Sequence, residues 1–398
     1  MPRPTAAREP PSRPGQDADV RSALRRGKLK YADPDAPGIA RRRSGRAFRF
    51  VGPAGAAVRD VPTLARIRKL AVPPAWRDVW ISPDPDAHIQ AVGRDARGRK
   101  QYRYHEGWRR VRDEAKYGHV VEFAQALPAI RAAARRHLKL PGLPKQKVLA
   151  AVVLVMEKTL IRVGNEQYAR QNSSYGLTTL QDRHAKVSGE GVKFRFRGKS
   201  GVDHDIDLDD PELADIVRRC RELPGQELFQ YVDEAGRVRD IGSADVNDYL
   251  RSVSGHDFTA KDYRTWAGTV LAAKALRGFE TAVAAKANTA GTATARQKGK
   301  AGVGKTPAND AAGVQPLPPP RGLKKHMVAA IETVAARLGN TKAVCRKCYI
   351  HPAVLDAYLD GSLATKLKDD VAAELKTARR RGLNADEESV LRMLQRTL

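Results

Sequence analysis

The chain has 398 residues, enough for two or three domains, and 72 lysines and arginines against 45 aspartates and glutamates give a formal net charge of +27. An excess of that size calls for a densely anionic partner, nucleic acid first. Three cysteines argue against a disulfide framework, and the lack of a spanning apolar run, a secretory signal, a lipidation motif or a basic amphipathic helix argues against a membrane protein and points to the cytoplasm.

Residues 1–24, beginning MPRPTAAREPPSRPGQDADV, read as a disordered basic tail. Residues 25–120 mix short β-like runs with Gly/Pro turns: AFRFVG and DVWISPD read as strands, and GRDARGRKQYRYH as a hairpin ending in alternating Gln101, Tyr102, Arg103 and Tyr104. Residues 121–398 read as a larger, mainly helical domain, the helical pattern starting at Val120. Within KVLAAVVLVMEKTLIRVGNEQYA, apolar residues surround most of the circumference, which predicts a buried helix carrying Arg162 near its end.

A hairpin follows. Val192, Phe194 and Phe196 alternate with Lys193, Arg195 and Arg197; after the turn Gly198-Lys199-Ser200-Gly201, Val202, His204, Ile206 and Leu208 alternate with Asp203, Asp205 and Asp207. Basic residues on one arm face acidic residues on the other, and Lys199 is left at the tip. Thr259 followed by Asp262 resembles a capping box at the head of a helix that carries Arg264 in its first turn. Residues 285–320 collapse into Ala, Gly, Thr, Lys and Pro and read as a flexible linker. Helical patterns resume from Gly322 to Leu338, Gly339 stops them, and Asn340-Thr341 can start the next helix, with Tyr349 in or just after it. The expected fold class is α+β: a small β-rich domain, then a larger helical domain containing a hairpin.

Three motifs carry chemistry in form only. Gly299 to Thr306, GKAGVGKT, fits the P-loop spacing, but it lacks a preceding strand, and Pro307 spoils the helix start. Asp203, Asp205 and Asp207 begin like a calcium loop, yet Leu208 and Ala214 stand where glycine and a bidentate glutamate belong. Cys345 and Cys348 have zinc-ligand spacing, but Cys220, His326 and His351 supply no second ligand pair, so no metal is expected.

The stretches GRKQYRYH, LIRVGNEQYA, FRGKSG, KDYRTW and GNTKAVCRKCYIHPAVLDAY, in this order over roughly residues 25–375, resemble the type IB DNA topoisomerases in their short poxvirus-like bacterial form. The resemblance implies a catalytic set: Tyr349 as nucleophile, Arg162 and Arg264 as phosphate clamps, Lys199 as general acid, and Asn340 where the family often has histidine. Asparagine can donate a hydrogen bond to a phosphate oxygen but cannot carry a proton; the alternative for Asn340 is a helix N-cap, a role compatible with the first. Gln101, Tyr102, Tyr104 and Tyr168 match DNA-contacting positions, whereas Asn165 stands where poxvirus members have lysine, so no role is carried over there. The resemblance further implies duplex DNA as partner, action as a monomer, and no cofactor.

The chemistry is consistent with that set. A phosphodiester is already negative, so attack by a phenol with pKa about 10 needs its equatorial oxygens stabilised, which planar guanidiniums do well, and its departing 5′-oxygen protonated. Two alternatives stay open. A tyrosine recombinase shares this chemistry, although it usually has histidine where Lys261 stands, and its arm domain is typically helical. A non-catalytic nucleoid protein would need only the charge.

Overall fold

Alternating side chains along residues 39–104 build an antiparallel sheet, and the chain beyond them turns predominantly helical. The computed structural model describes residues 14–45, 47–297, 322–367 and 382–397. The chain divides into two compact units, one ending at Gly118 and the other starting at His119.

In the first unit, helix α1 spans Pro14–Gly27, and strands β1 (Ile39–Ser44) and β2 (Ala47–Val51) are followed by α2 (Val61–Lys69), β3 (Arg77–Ile81), β4 (Ile89–Arg94) and β5 (Lys100–Tyr104). The five strands run in the order β2-β1-β3-β4-β5. Asp60 caps α2 by accepting from the Thr63 N–H at 2.9 Å. That helix buries Ile67 among Ile39, Val79, Ile81 and Ala91, the sheet's core.

Two expectations for this region need correction. The tail expected over residues 1–24 is helical from Pro14. Ala23 and Leu24 of α1 bury against Trp108 and Val111, with Val20 packed alongside, so an i, i+3, i+4 stripe fixes a segment whose composition reads as disordered. For the same reason helix α3 starts at Glu106, not near Val120, and runs through the unit boundary to Leu138.

The second unit continues with α4 (Lys145–Thr159), α5 (Glu166–Asn172), β6 (Ala185–Ser188), β7 (Gly191–Arg197), β8 (Asp203–Asp209), α6 (Pro211–Arg221), β9 (Gln230–Val232), β10 (Val238–Asp240), α7 (Ser243–Ser254), α8 (Ala260–Gln297), α9 (Leu323–Leu338), α10 (Lys342–Cys348), α11 (Pro352–Leu359) and α12 (Ala385–Gln395). Helix α4 is the axis of the core: Val148, Ala150, Val152, Val153, Val155 and Met156 all have 0% exposure, as an all-round apolar helix requires. Strands β7 and β8 pair Lys193 with Asp207, Arg195 with Asp205 and Arg197 with Asp203. Lys193 and Arg195 bridge to Asp205 at 3.2 and 3.0 Å, so these aspartates are the outer face of a hairpin rather than a cation loop.

The linker expected over residues 285–320 is corrected at its start, because α8 continues through Gln297. The alanine-rich run there has high helix propensity and no proline to stop it. The rest of that span, including GKAGVGKT, lies outside the described residues, as do residues 1–13 of the tail. The fold is α+β. Among the described residues no helix is long and apolar enough to cross a membrane, and no group of three His, Cys, Asp or Glu could hold a metal ion.

Candidate active site

The five residues expected to act together all belong to the second unit. Helix α4 stops at Thr159 because Leu160 takes the left-handed conformation, φ 59° and ψ 19°. For a residue other than glycine this costs about 1–2 kcal/mol. Arg162 therefore stands beyond the helix, not on it. Its segment is fixed by the N–H groups of Leu177 and Thr178, which donate to the carbonyls of Arg162 and Val163 at 2.9 and 2.7 Å. The turn also presents the Leu160 carbonyl to Arg264, whose Nη1 donates to it.

Arg264 lies early in α8. The Thr259 N–H and hydroxyl donate to the Asp262 carboxylate at 2.8 and 2.9 Å, the reciprocal half of a capping box, and so set where that helix begins. The Arg264 side chain is buried at 4% exposure, and its Nη2 donates to the Leu338 carbonyl at 2.6 Å. Two of its five N–H donors are thus committed to backbone, while Nε is buried with no hydrogen-bond partner among the described residues. The guanidinium carbon sits 5.3 Å from the centroid of the Tyr349 ring. Burial holds Arg264 below its ordinary pKa, and the Tyr349 hydroxyl opposes this through charge and hydrogen bonding.

Arg162 donates from Nη2 to the Gly339 carbonyl at 3.1 Å and to Oδ1 of Asn340. Burial, reinforced by the charge of Arg264, pushes its pKa down to about 10. A guanidinium depressed by burial and by a neighbouring cation is relieved by an anion placed beside it. Gly339 closes α9 at φ 56°, which glycine accepts without steric cost, and this delivers Asn340 to Arg162. The helix-cap alternative for Asn340 is corrected: Thr341 caps α10, its hydroxyl accepting from the Val344 N–H at 3.3 Å. Nδ2 of Asn340 is buried with no oxygen or nitrogen accepting from it among the described residues, and its weak interaction with the Cys345 thiol leaves an N–H to donate.

Lys199 projects from the β7–β8 turn, where Ser200 is also left-handed at φ 67°. Tyr349 ends α10, its N–H donating to the Cys345 carbonyl at 2.9 Å. Helix α8 approaches it so closely at Gly268 that a Cβ there would lie 2.5 Å from the Tyr349 carbonyl oxygen. Arg162, Lys199, Arg264 and Tyr349 line one cleft of about 320 Å³ together with Asn165 and Lys261. Asn340 reaches the cleft through its bond to Arg162. Cys345 is fully buried, and burial raises its thiol pKa, the environment of an inert packing cysteine.

The DNA-contact expectations fall elsewhere. In the first unit, Tyr102 and Tyr104 stack with centroids 5.8 Å apart on one face of β5, and Lys100 sits 6.0 Å from the Tyr102 ring. Gln101 points to the opposite face and donates to Asp95 at 3.0 Å, so it is not grouped with the two tyrosines. Tyr168 lies in α5, and its side chain is outside the described residues. Sequence reasoning noted Lys261 only as the place of a recombinase histidine and gave no site role to it, Gly268 or His204. Lys261 stands three residues before Arg264 on α8, a spacing that could have flagged it. Gly268 and His204 gave no such signal.

Fold and cleft together set two guanidiniums and a lysine beside a phenol, a cluster of positive charge suited to an anionic substrate. Residues 105–377 match the family described as eukaryotic DNA topoisomerase I, catalytic core, and residues 47–95 match the bacterial DNA topoisomerase IB N-terminal domain. DNA topoisomerase 1B of Acanthamoeba polyphaga mimivirus is 31% identical over 299 residues, 74% of this chain and 80% of that one. DNA topoisomerase 1B of Vaccinia virus (strain Copenhagen) is 27% identical over 171 residues, 39% of this chain and 54% of that one. The chain belongs to the type IB DNA topoisomerases. As such it is an isomerase whose partner is DNA.

Proposed function

We propose that the chain relaxes supercoiled duplex DNA by cutting one strand through a 3′-phosphotyrosyl bond at Tyr349 and resealing it, without ATP or metal. The observation that carries this reading is the Arg264 guanidinium against the Tyr349 ring, in a cleft shared with Arg162 and Lys199. In the forward step the phenol gives up its proton to solvent as its oxygen bonds to phosphorus, the bond from phosphorus to the 5′-oxygen breaks, and Lys199 hands its proton to that oxygen. Arg162 and Arg264 stabilise the charge building on the non-bridging oxygens, with Asn340 donating from Nδ2. The phosphotyrosine conserves the energy of the broken bond, so resealing is the same step reversed. Between the two, the free 5′-end swivels.

The working unit is a monomer on nucleoid DNA in the cytoplasm, and both units contact the duplex mainly through phosphates. Tyr102 and Tyr104 contribute contacts from one face of β5, Gln101 from its other face, and Tyr168 from α5. Binding held by phosphates weakens steeply with salt.

The test is plasmid relaxation in EDTA without nucleotide. A full ladder of topoisomers ending in relaxed circles is the expected product; DNA compaction with unchanged linking number, or exchange between paired duplexes, contradicts the reading. The general-acid assignment has its own check. Lys199→Ala is expected to cut an ordinary duplex about 10²–10⁴-fold more slowly. A duplex carrying sulfur at the 5′-bridging position, whose leaving group needs no proton, should regain most of that rate, and equal slowing on both substrates would remove Lys199 from the role.

A further inference from the structure

The proposed mechanism leaves His204 unused, although it lies against the turns that carry Lys199 and Asn340. It stands on β8 directly across from Phe196, and its ring stacks on that phenyl with centroids 4.8 Å apart and planes 18° from parallel. Two turns hem in the rest of the ring. A Cβ built on Gly198, the residue before Lys199, would fall 2.6 Å from both Cδ2 and Nε2 of the imidazole. One built on Gly339, the residue before Asn340, would fall 2.7 Å from Cε1 and 3.8 Å from Nη1 of Arg162. Any side chain at either glycine would collide with the imidazole, so both turns reach it only because they carry none. The imidazole therefore fills the gap between the hairpin turn that carries Lys199 and the turn that carries Asn340.

The electrostatics suit a spacer. Burial, then Arg162 and Arg264, hold His204 below its ordinary pKa, with Asp203 opposing. A ring neutral at pH 7 packs beside two guanidiniums without adding a third positive charge, which a lysine or arginine wedge could not do. A stacked aromatic ring also has few rotamers to lose, so it fixes a distance well.

We propose that His204 is a positioning residue for strand cleavage: its ring wedges the Lys199 turn against the Asn340 turn and so sets where the leaving-group proton donor stands. The inference rests on the Tyr349 reading above. A residue that only fills the core would affect stability and every step alike, whereas a wedge acting through Lys199 affects proton delivery.

The experiment uses the full chain and measures single-turnover covalent capture on two duplexes, one with an ordinary 5′-oxygen and one with a 5′-bridging sulfur. DNA binding and thermal unfolding are followed alongside. His204→Ala is expected to slow cleavage of the oxygen substrate by about 10²-fold, the usual effect of a misplacement of about 1 Å. It should stay within a few-fold of the parent on the sulfur substrate, and DNA binding should be unchanged. Gly198→Ala keeps the imidazole but pushes it aside, so it should give the same substrate-dependent loss. The double variant should be no slower than His204→Ala alone, because removing the ring relieves the clash. If His204→Ala does not fold, the oxygen-to-sulfur ratio of Gly198→Ala decides. Parent-like rates, or equal slowing on both substrates, overturn the wedge while leaving the Tyr349 reading intact. A parent chain that forms no adduct on either substrate overturns both.

Discussion

Replacing Arg264 with alanine is expected to slow strand cleavage by at least about 10²–10³-fold, the usual effect of removing one donor that stabilises a developing anion. Two losses coincide. The transition state loses a buried guanidinium that already faces the Tyr349 ring at 5.3 Å. The backbone loses the donor shared by the Leu160 and Leu338 carbonyls, and each orphaned buried acceptor costs about 1–3 kcal/mol of stability. Arg264→Lys separates charge from geometry. An ammonium keeps the positive charge but cannot reach two carbonyls and a substrate oxygen with one rigid fork. The lysine variant should therefore bind duplex DNA almost as the parent does and still lose most of its single-turnover cleavage rate. A lysine variant that cleaves at nearly the parental rate would show that charge alone suffices and that the fork does not matter.

The second large effect concerns stability and lies away from the cleft. Arg131 on α3 donates from Nε to Glu157 at 2.9 Å and from Nη2 and Nη1 to the two carboxylate oxygens of Glu387 on α12 at 2.7 and 2.9 Å. It also donates to the Gly382 carbonyl. Burial would lower the Arg131 pKa, but Glu387 and Glu157 outweigh it and hold the guanidinium above its ordinary value. Burial raises Glu157, against the pull of Arg131.

Arg131→Met leaves two carboxylates in a poorly solvated pocket without their cation, and the expected cost is about 3–5 kcal/mol at pH 7. The pH dependence has a definite sign. Glu157 has a folded-state pKa above its unfolded value, so its protonated form favours folding, and stability is lost as pH rises through the folded value. Without Arg131 that pKa rises further. The cost of the substitution should therefore be larger at about pH 7 than at about pH 5, because acidification favours the protonated form of Glu157 that tolerates burial without a cation. Urea unfolding at the two pH values measures it. A cost below about 1 kcal/mol at pH 7, or one that grows on acidification, contradicts the account. Replacing Glu157 and Glu387 with glutamine alongside Arg131→Met should recover much of the loss.

How far these features can be read from the sequence depends on how local their causes are. The β7–β8 hairpin is legible because a period of two, with bases on one arm and acids on the other, dictates both register and face, and the pairing of Lys193, Arg195 and Arg197 with the aspartates of β8 follows. Helix α4 is legible because its apolar residues leave no polar face. Helix α1 is not. Its stripe of Val20, Ala23 and Leu24 is short, and it is stable only against Trp108 and Val111, more than eighty residues away. The same burial draws α3 back to Glu106.

The candidate site divides in the same way. Sequence position alone puts Arg162 on a helix, but the left-handed turn at Leu160 leaves it beyond the helix, and a leucine gives no warning of such a turn. Asn340 reads as a site residue with a helix cap as its alternative, and only the structure shows that Thr341 takes the cap. Gly268 and His204 matter through approaches between distant segments that no local pattern encodes. His204 in particular shares its periodicity with Ile206 and Leu208, and so looks like a core residue.

The most direct measurement of the central claim is covalent capture on a duplex whose cleavage releases a short downstream fragment bearing the new 5′-hydroxyl, so that resealing is prevented. The adduct is then digested, and the modified peptide is sequenced by mass spectrometry. The account predicts one stoichiometric adduct with a 3′-phosphate ester on Tyr349, formed in EDTA and absent from a Tyr349→Phe variant that still binds DNA. An adduct on any other side chain, or strand cleavage by the phenylalanine variant, would contradict it.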